Sequence, residues 1–265
     1  YFALPAEAYA SLGGFERRNR AWLEVGSSLA ESCLSDLFRK SAIGPEEVGA
    51  IVTTTVTGIA VPTLDARLMN RIPFSPHLKR IPTFGLGCVG GAAGLARVSD
   101  YLRAFPDQAA VLLSVELCSL TLQRDDLSTA NIISTGLFGD GAAAVLAVGA
   151  DHRLSARATP ACCDNRSIFF PETEHVMGWK IIDDGFEVVL DASVPDLARN
   201  ALPEAVDGFL AEHGLERDDI ATWVVHPGGP KILDAMVEGL GLHESAVSIA
   251  RRGLREEGNL SSASV

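Results

Sequence analysis

Pro82-Thr83-Phe84-Gly85-Leu86-Gly87-Cys88-Val89-Gly90-Gly91-Ala92-Ala93-Gly94 reads as the end of an apolar strand, a glycine turn that presents one thiol, and the start of a small-residue helix. The helix runs on through Leu95 and Val98 to Tyr101-Leu102. A strand that turns straight into a helix is the building unit of an α/β fold. A thiol at a helix N-terminus faces unpaired backbone N–H groups and the positive end of the dipole, and both favour the nucleophilic thiolate. The glycines let a large substrate approach the backbone. A free cysteine is more often a small buried hydrophobe, so the stretch needs company before it becomes a site.

Two further segments supply that company. Thr222-Trp223-Val224-Val225-His226-Pro227-Gly228-Gly229-Pro230 predicts a second apolar strand, ending in a histidine and a Pro/Gly turn. Glu257-Gly258-Asn259-Leu260-Ser261-Ser262-Ala263-Ser264 places an asparagine at a Gly/Ser-rich turn. Alone, the first suits a core histidine and the second a helix N-cap. Together with Cys88 they offer a nucleophile, an imidazole and an amide, each at the tip of a predicted element.

The bulk of the chain bounds the class. Its 265 residues, 47% of them hydrophobic, suffice for one large core or two packed halves. No apolar run approaches the ~20 residues that cross a bilayer, and no signal peptide is recognised. The cysteines Cys33, Cys88, Cys118, Cys162 and Cys163 are odd in number and lack zinc spacing. They predict reduced thiols in a cytoplasmic protein with no bound metal. A net charge of −12 argues against a nucleic-acid partner. The local basic clusters Arg17-Arg18-Asn19-Arg20 and Lys79-Arg80 are read as solvated surface or phosphate contacts.

A repeat lies in the order of elements. Ile43 to Thr55 and Gly214 to His226 are each an acidic turn followed by a branched apolar strand. Each follows an amphipathic helix, Ser27 to Lys40 in one copy and Asp196 to His213 in the other, with Leu29, Cys33, Leu34 and Leu37 matched by Leu202, Val206, Phe209 and Leu210. The register that pairs Val48 with Ile220 also carries Gly87 onto Asn259, so the thiol and amide turns hold matching places in two halves. The first half continues past Cys88 through strands Ala109–Val115 and Gly141–Val148, whereas the second stops soon after Asn259. The expectation is an α/β protein of two duplicated halves, the second truncated. It divides into an N-terminal half (1–150), a connecting segment that lines a cavity (151–195, with strand Phe186–Leu190), and the start of a C-terminal half (196–265).

At these residues the sequence resembles the type III polyketide synthases, the chalcone-synthase-like branch of the thiolase superfamily. The resemblance rests on Gly87-Cys88, Gly136-Leu137-Phe138-Gly139-Asp140-Gly141-Ala142-Ala143-Ala144, His226-Pro227-Gly228-Gly229-Pro230 and Gly258-Asn259-Leu260-Ser261-Ser262-Ala263, in that order. It implies a layered αβαβα thiolase-like fold. A finer likeness to bacterial alkylresorcinol and alkylpyrone synthases is carried by Thr53–Pro62, Ser114–Thr121 and Val176–Trp179. That likeness implies a long-chain fatty acyl-CoA starter, extension with malonyl-CoA, and cyclisation.

The resemblance assigns Cys88 as the acyl-carrying nucleophile, completed by His226 and Asn259. It makes Phe138 a gatekeeper between the CoA tunnel and the cavity. Cys118, Leu120, Thr121, Trp179, Val188 and Ser261 become substrate-contacting residues. At Val188 plant enzymes carry a second phenylalanine, and its absence suits a slender apolar chain. The family implies a homodimer and no cofactor besides the CoA thioester substrates. It also places the CoA-phosphate cluster upstream of Tyr1 and a closing glycine-rich loop beyond the last residue.

The chemistry follows from the residue types. Cys88 beside His226 is expected to form a thiolate–imidazolium pair of lowered pKa. Loss of CO2 from malonyl-CoA develops an enolate oxygen, to which an imidazole N–H and the Asn259 amide can donate. A carboxylate in place of Asn259 would repel that enolate. A ketoacyl synthase of fatty-acid initiation shares the three residue types but usually shows Gln-Ala-Asn where Pro227-Gly228-Gly229 stands. A non-catalytic nucleotide cradle is the other alternative: Gly85 to Gly90 satisfies G-x-G-x-x-G, yet no acidic residue closes the following strand at the required spacing.

Overall fold

The computed structural model describes residues 2–264. Helix α1 (Phe15–Lys40) leads into strand β1 (Val48–Thr55), the short helix α2 (Leu64–Leu68) and strand β2 (Lys79–Phe84). Helix α3 (Gly90–Ala104), strand β3 (Ala109–Leu117), helix α4 (Thr129–Leu137) and strand β4 (Asp140–Val148) complete the first half. The sheet order is β2-β1-β3-β4, with β1 parallel to both neighbours and β4 antiparallel to β3. Thr83, Thr54, Ser114 and Ala143 form one row across it. The carboxyl ends of β1, β2 and β3 therefore share an edge, where α/β sheets commonly hold their ligands.

Period-two alternation decides which helix covers which face. On β1 and β3, Ile51, Val111, Leu113, Val115 and Leu117 pack under α1 with Trp22, Ala30 and Leu34. Ala50, Val52, Ala110 and Leu112 face α3 through Val98, Tyr101 and Leu102. Every residue of β3 is buried, as a central strand covered on both faces requires. Each large side chain so buried contributes roughly 1.5–3 kcal/mol.

Helix α1 begins a dozen residues before the predicted Ser27, because the basic run at Arg17–Arg20 is itself helical. Arg18 is neither solvated nor turned to a phosphate. Its Nε donates to Gly13 O at 2.9 Å and its Nη1 to Leu120 O at 3.0 Å, pinning the turn Cys118–Thr121 that follows β3. Arg80 likewise pairs with the fully buried Asp65 at 3.1 Å.

The remainder departs further from expectation. Strands β5 (Met177–Ile182) and β6 (Gly185–Leu190) make an antiparallel hairpin. The helix predicted over Asp196–His213 is two helices, α5 (Val194–Asn200) and α6 (Leu202–Glu212). Pro203, in the first turn of α6, has no N–H to continue the ladder from α5. The strand predicted at Thr222–His226 is not formed. Its counterpart β1 sits between two partners, whereas no strand lies beside Thr222–His226 among the described residues, and a strand exists only through its ladder. Helices α7 (Pro230–Leu240) and α8 (Ser248–Glu256) follow, then the tight turn Ser261–Ser264.

Candidate active site

Cys88 occupies the middle of a single 3₁₀ turn, Gly87–Val89, between β2 and α3. Gly87 takes φ +57°, a left-handed conformation that glycine adopts without steric cost. A Cβ on Gly90 would lie 2.5 Å from Thr54 Oγ1 and 3.0 Å from Ser262 Cβ. Only glycine lets the first turn of α3 slot between the end of β1 and the Ser261–Ser264 turn. The matching positions of the repeat thus meet in space: the thiol turn packs on the asparagine turn.

Asn259 is fully buried and held at four points. Its N–H donates to Leu137 O at 2.8 Å, and its carbonyl accepts from Gly139 N at 2.9 Å, bridging it to Phe138. Its Oδ1 accepts from Ser261 N at 2.8 Å, and its Nδ2 donates to Gly228 O at 3.3 Å. Ser261 is itself left-handed at φ +52°, a strained setting for a residue with a Cβ. The Asn259 side chain therefore links the Cys88 turn to the His226–Gly229 turn, where Gly228 N donates to His226 O at 2.9 Å.

Glu116, fully buried near the end of β3, lies behind the thiol. Its carboxyl accepts from Val56 N at 3.1 Å, from Thr57 Oγ1 at 2.9 Å and from Ser262 Oγ. Burial pushes its pKa up to about 7 against these donors.

The protonation states differ from the sequence expectation. Burial pushes the Cys88 thiol up to about 11, with Glu116 adding to the rise while the Ser261 and Asn259 side chains oppose it. Burial also pushes His226 down to about 4, and neither of its ring nitrogens has a hydrogen-bond partner among the described residues. Both shifts run against the predicted thiolate–imidazolium pair, since desolvation of the two groups favours their neutral forms over the helix-end effect.

The site residues fall around two adjoining lobes. A cleft of about 450 Å³ contains Cys88 and Ser261 and is walled by Phe84, Leu86, Met177 and Ile181. A second lobe of about 200 Å³ carries Thr121. Cys118, Phe138, Trp179 and Val188 line both lobes and mark where they meet. Neither His226 nor Asn259 is among the residues that line the two lobes. Leu120 lines neither lobe, because the Arg18-pinned turn directs it into the core under α1. Cys118 is held protonated, its pKa raised well above the ordinary thiol value by burial and by Glu116 and Asp140. The second lobe is also walled by Tyr9, Asn131, Ser134 and Thr135, which sequence reasoning missed, since a polar residue on a short helix has no local signature of a cavity.

Two family models match the chain: the FAE1/type III polyketide synthase-like protein over residues 14–159, and the chalcone and stilbene synthase C-terminal domain over 163–265. A 1,3,6,8-tetrahydroxynaphthalene synthase of Streptomyces peucetius subsp. caesius is 51% identical over 265 residues, covering 100% of this chain and 70% of that protein. The chain belongs to the type III polyketide synthases. The crystal structure of a 1,3,6,8-tetrahydroxynaphthalene synthase from Streptomyces coelicolor A3(2) superposes with a TM-score of 0.94 at 30% identity, covering 99% of this chain and 74% of that one. A phloroglucinol synthase of Pseudomonas fluorescens is 28% identical over 264 residues, 99% of this chain and 74% of the relative. The layered thiolase-type fold and the acyltransferase class follow from this membership, and both alternatives, the fatty-acid ketoacyl synthase and the nucleotide cradle, give way to it. Type III polyketide synthases act on CoA thioesters without a further cofactor. No helix among the described residues is long and apolar enough to cross a membrane.

Proposed function

We propose that Cys88 carries the growing acyl chain, that His226 and Asn259 serve its extension with malonyl-CoA, and that the product is a polyhydroxylated aromatic ring. The observation that carries this reading is the 51% identity to a 1,3,6,8-tetrahydroxynaphthalene synthase, with two adjoining lobes beside Cys88 to hold the chain. A chain tethered at Cys88 passes Phe138 and enters a lobe walled by the hydroxyls of Tyr9, Ser119, Thr121, Ser134 and Thr135 and the amide of Asn131. The lobe's other walls, Phe2, Ala6, Leu122, Trp179 and Val188, are apolar, so the lining accommodates a poly-β-ketone without excluding an alkyl chain. The 51%-identical relative favours the poly-β-ketone. The compound in its name has oxygens on alternate ring carbons and no alkyl substituent, the pattern that malonyl-derived units leave.

Loading begins when Cys88 Sγ attacks the thioester carbonyl. His226 takes the thiol proton and returns it to the departing CoA sulfur. Neutral resting groups require the two side chains to meet at that moment, and their mutual attraction in a desolvated site then favours the ion pair. Malonyl-CoA next loses CO2. The electron pair of the broken C–C bond moves into an enolate, whose oxygen accepts from an imidazole N–H and from the second Asn259 Nδ2 proton. The enolate carbon attacks the Cys88 thioester, and the new, longer chain is carried on CoA until it is returned to Cys88. Each such donor lowers the barrier by about 3–4 kcal/mol.

A long-chain fatty acyl-CoA starter, giving an alkylresorcinol or alkylpyrone, is the second reading. It is favoured by the apolar walls of the outer cleft, Phe84, Leu86, Met177 and Ile181. A homodimer in the cytoplasm belongs to both readings. The exposed apolar side chains of Leu127, Ile132 and Ile133 support a surface for a second copy, which sedimentation would test.

Mass spectrometry of products decides between the starters. Malonyl-CoA alone is expected to give a hydroxylated aromatic product, with Cys88→Ala giving none. Product only when a long-chain acyl-CoA is added would establish the second reading and overturn the first.

A further inference from the structure

The walls of the second lobe are not equally well supported. Helix α4, the Cys118–Thr121 turn and the β5–β6 hairpin supply three of its sides. Segment 2–11 supplies the fourth, through Phe2, Ala6 and Tyr9. No ladder or long helix stands behind that side. Its regular piece is the 3₁₀ stretch Ala6–Ser11, none of whose residues is buried. A wall with so little burial stays in place only where specific bonds hold it.

Those bonds form a directed chain. Asp140, at the start of β4, accepts from Ser119 N at 2.7 Å and from Ser119 Oγ. With its proton committed to the carboxyl, Ser119 Oγ is left to accept from Tyr9 Oη and, at 3.4 Å, from Ala3 N. Tyr9 Oη accepts in turn from Leu4 N at 3.1 Å. Each hydroxyl donates toward the carboxyl and accepts from the segment, an order in which successive bonds polarise one another. Phe2 lies against the Tyr9 ring, 5.6 Å between centroids. The near end of the wall therefore hangs from Ser119, while Arg124 holds the far end through Ala10 O.

We propose that segment 2–11 is a specificity-determining wall of the second lobe, in which Ala6 sets how much chain the lobe holds and Tyr9 is the positioning residue that keeps the wall seated. The inference rests on Cys88 as the tether of the chain, as proposed for its function. It holds for either starter, because a poly-β-ketone and an alkyl chain both need the room. The lobe is about 200 Å³, small enough for an isopropyl group added at Ala6 to take a sizeable part of it.

The experiment compares the parent with Ala6→Leu and Tyr9→Phe, each given malonyl-CoA alone and malonyl-CoA with a series of acyl-CoA starters. Mass spectrometry reads the chain length of the products. Ala6→Leu is expected to lower the share of the longest parent product about 10-fold in favour of shorter ones. Tyr9→Phe keeps the ring but removes the O–H, so the wall yields to a longer chain. The share of products longer than the parent's should rise about 2- to 10-fold. Neither residue lines the cleft that holds Cys88, so acylation of Cys88, read as one added acyl mass on its peptide, should change by less than about twofold in both variants. Hydrogen exchange gives a readout independent of turnover. The Leu4 amide should exchange about 2- to 10-fold faster in Tyr9→Phe, with the Ser119 amide, held by Asp140, unchanged. Unchanged product length in either variant overturns the proposal, as does a shift of both in the same direction. So does a Leu4 amide that exchanges as in the parent, or a loss of Cys88 acylation equal to the loss of the longest product. A parent that forms no acyl adduct on Cys88 overturns the functional reading instead, an outcome seen before any variant is made.

Discussion

Val48–Thr55 and Thr222–His226 share one local pattern, an acidic turn followed by branched apolar residues, and end in different states. The first is the inner strand of a four-stranded sheet, with ladders on both sides. The second has no ladder, and Val224 is 74% exposed. An acidic turn followed by branched apolar residues states a preference for extended chain, but neighbours supply the hydrogen bonds and burial that make it a strand. The same contrast divides the site. The Cys88 and Asn259 side is tied into the complete sheet and the turn packed on it, while His226 follows the unladdered segment with both nitrogens unpaired among the described residues.

Amide hydrogen exchange would break the comparison most directly. Val111, Leu113 and Val115 should exchange only through global opening, and Trp223, Val224 and Val225 through local fluctuation, a difference of at least about 10³-fold in protection. Equal protection would show that the second segment is structured by something other than a ladder. Next in size, Leu113→Ala empties a site with no solvent exposure. It should lower unfolding stability by about 3–4 kcal/mol in a denaturant titration.

Glu116 sharpens the comparison through pH. Its pKa in the fold, about 7, exceeds the ordinary 4.5, so the fold favours its neutral acid. The associated stability is complete below about pH 4.5 and is lost as pH rises through about 7. Glu116→Gln should therefore match the parent at pH 4 and exceed it by up to about 3 kcal/mol at pH 8. A pH-independent difference would mean that its hydrogen-bond donors keep the carboxylate ionised. Smallest of all, Val224→Ala should change stability by less than about 0.5 kcal/mol. A cost near that of Leu113→Ala would place Val224 in a core and remove the contrast.

What the sequence made legible follows the same line. Strands β1 and β3 are legible because each is a continuous apolar run that the sheet buries on both faces. Cys88 and Asn259 were readable because each sits on a glycine-marked turn, and the turns do meet. The acidity of Cys88 was not: a local reading weighs the helix end, whereas burial decides it, with a carboxyl from β3, 28 residues further along, adding to the rise. Leu120 was misplaced because Arg18, a hundred residues away in sequence, sets the rotation of its turn.

The clamp on Asn259 has a consequence for anyone who would retune this enzyme. Leu137 O and Gly139 N grip the Asn259 backbone from either side of Phe138, so the proposed aperture of the cavity and the proposed trigger of decarboxylation are geared together. Widening the aperture by moving the Phe138 backbone drags the trigger with it. Changes confined to the ring leave the gearing untouched. New starter specificities are therefore more accessible through the size of the side chain at 138 than through insertions or deletions in the Gly136–Asp140 segment, which would throw the two parts out of mesh.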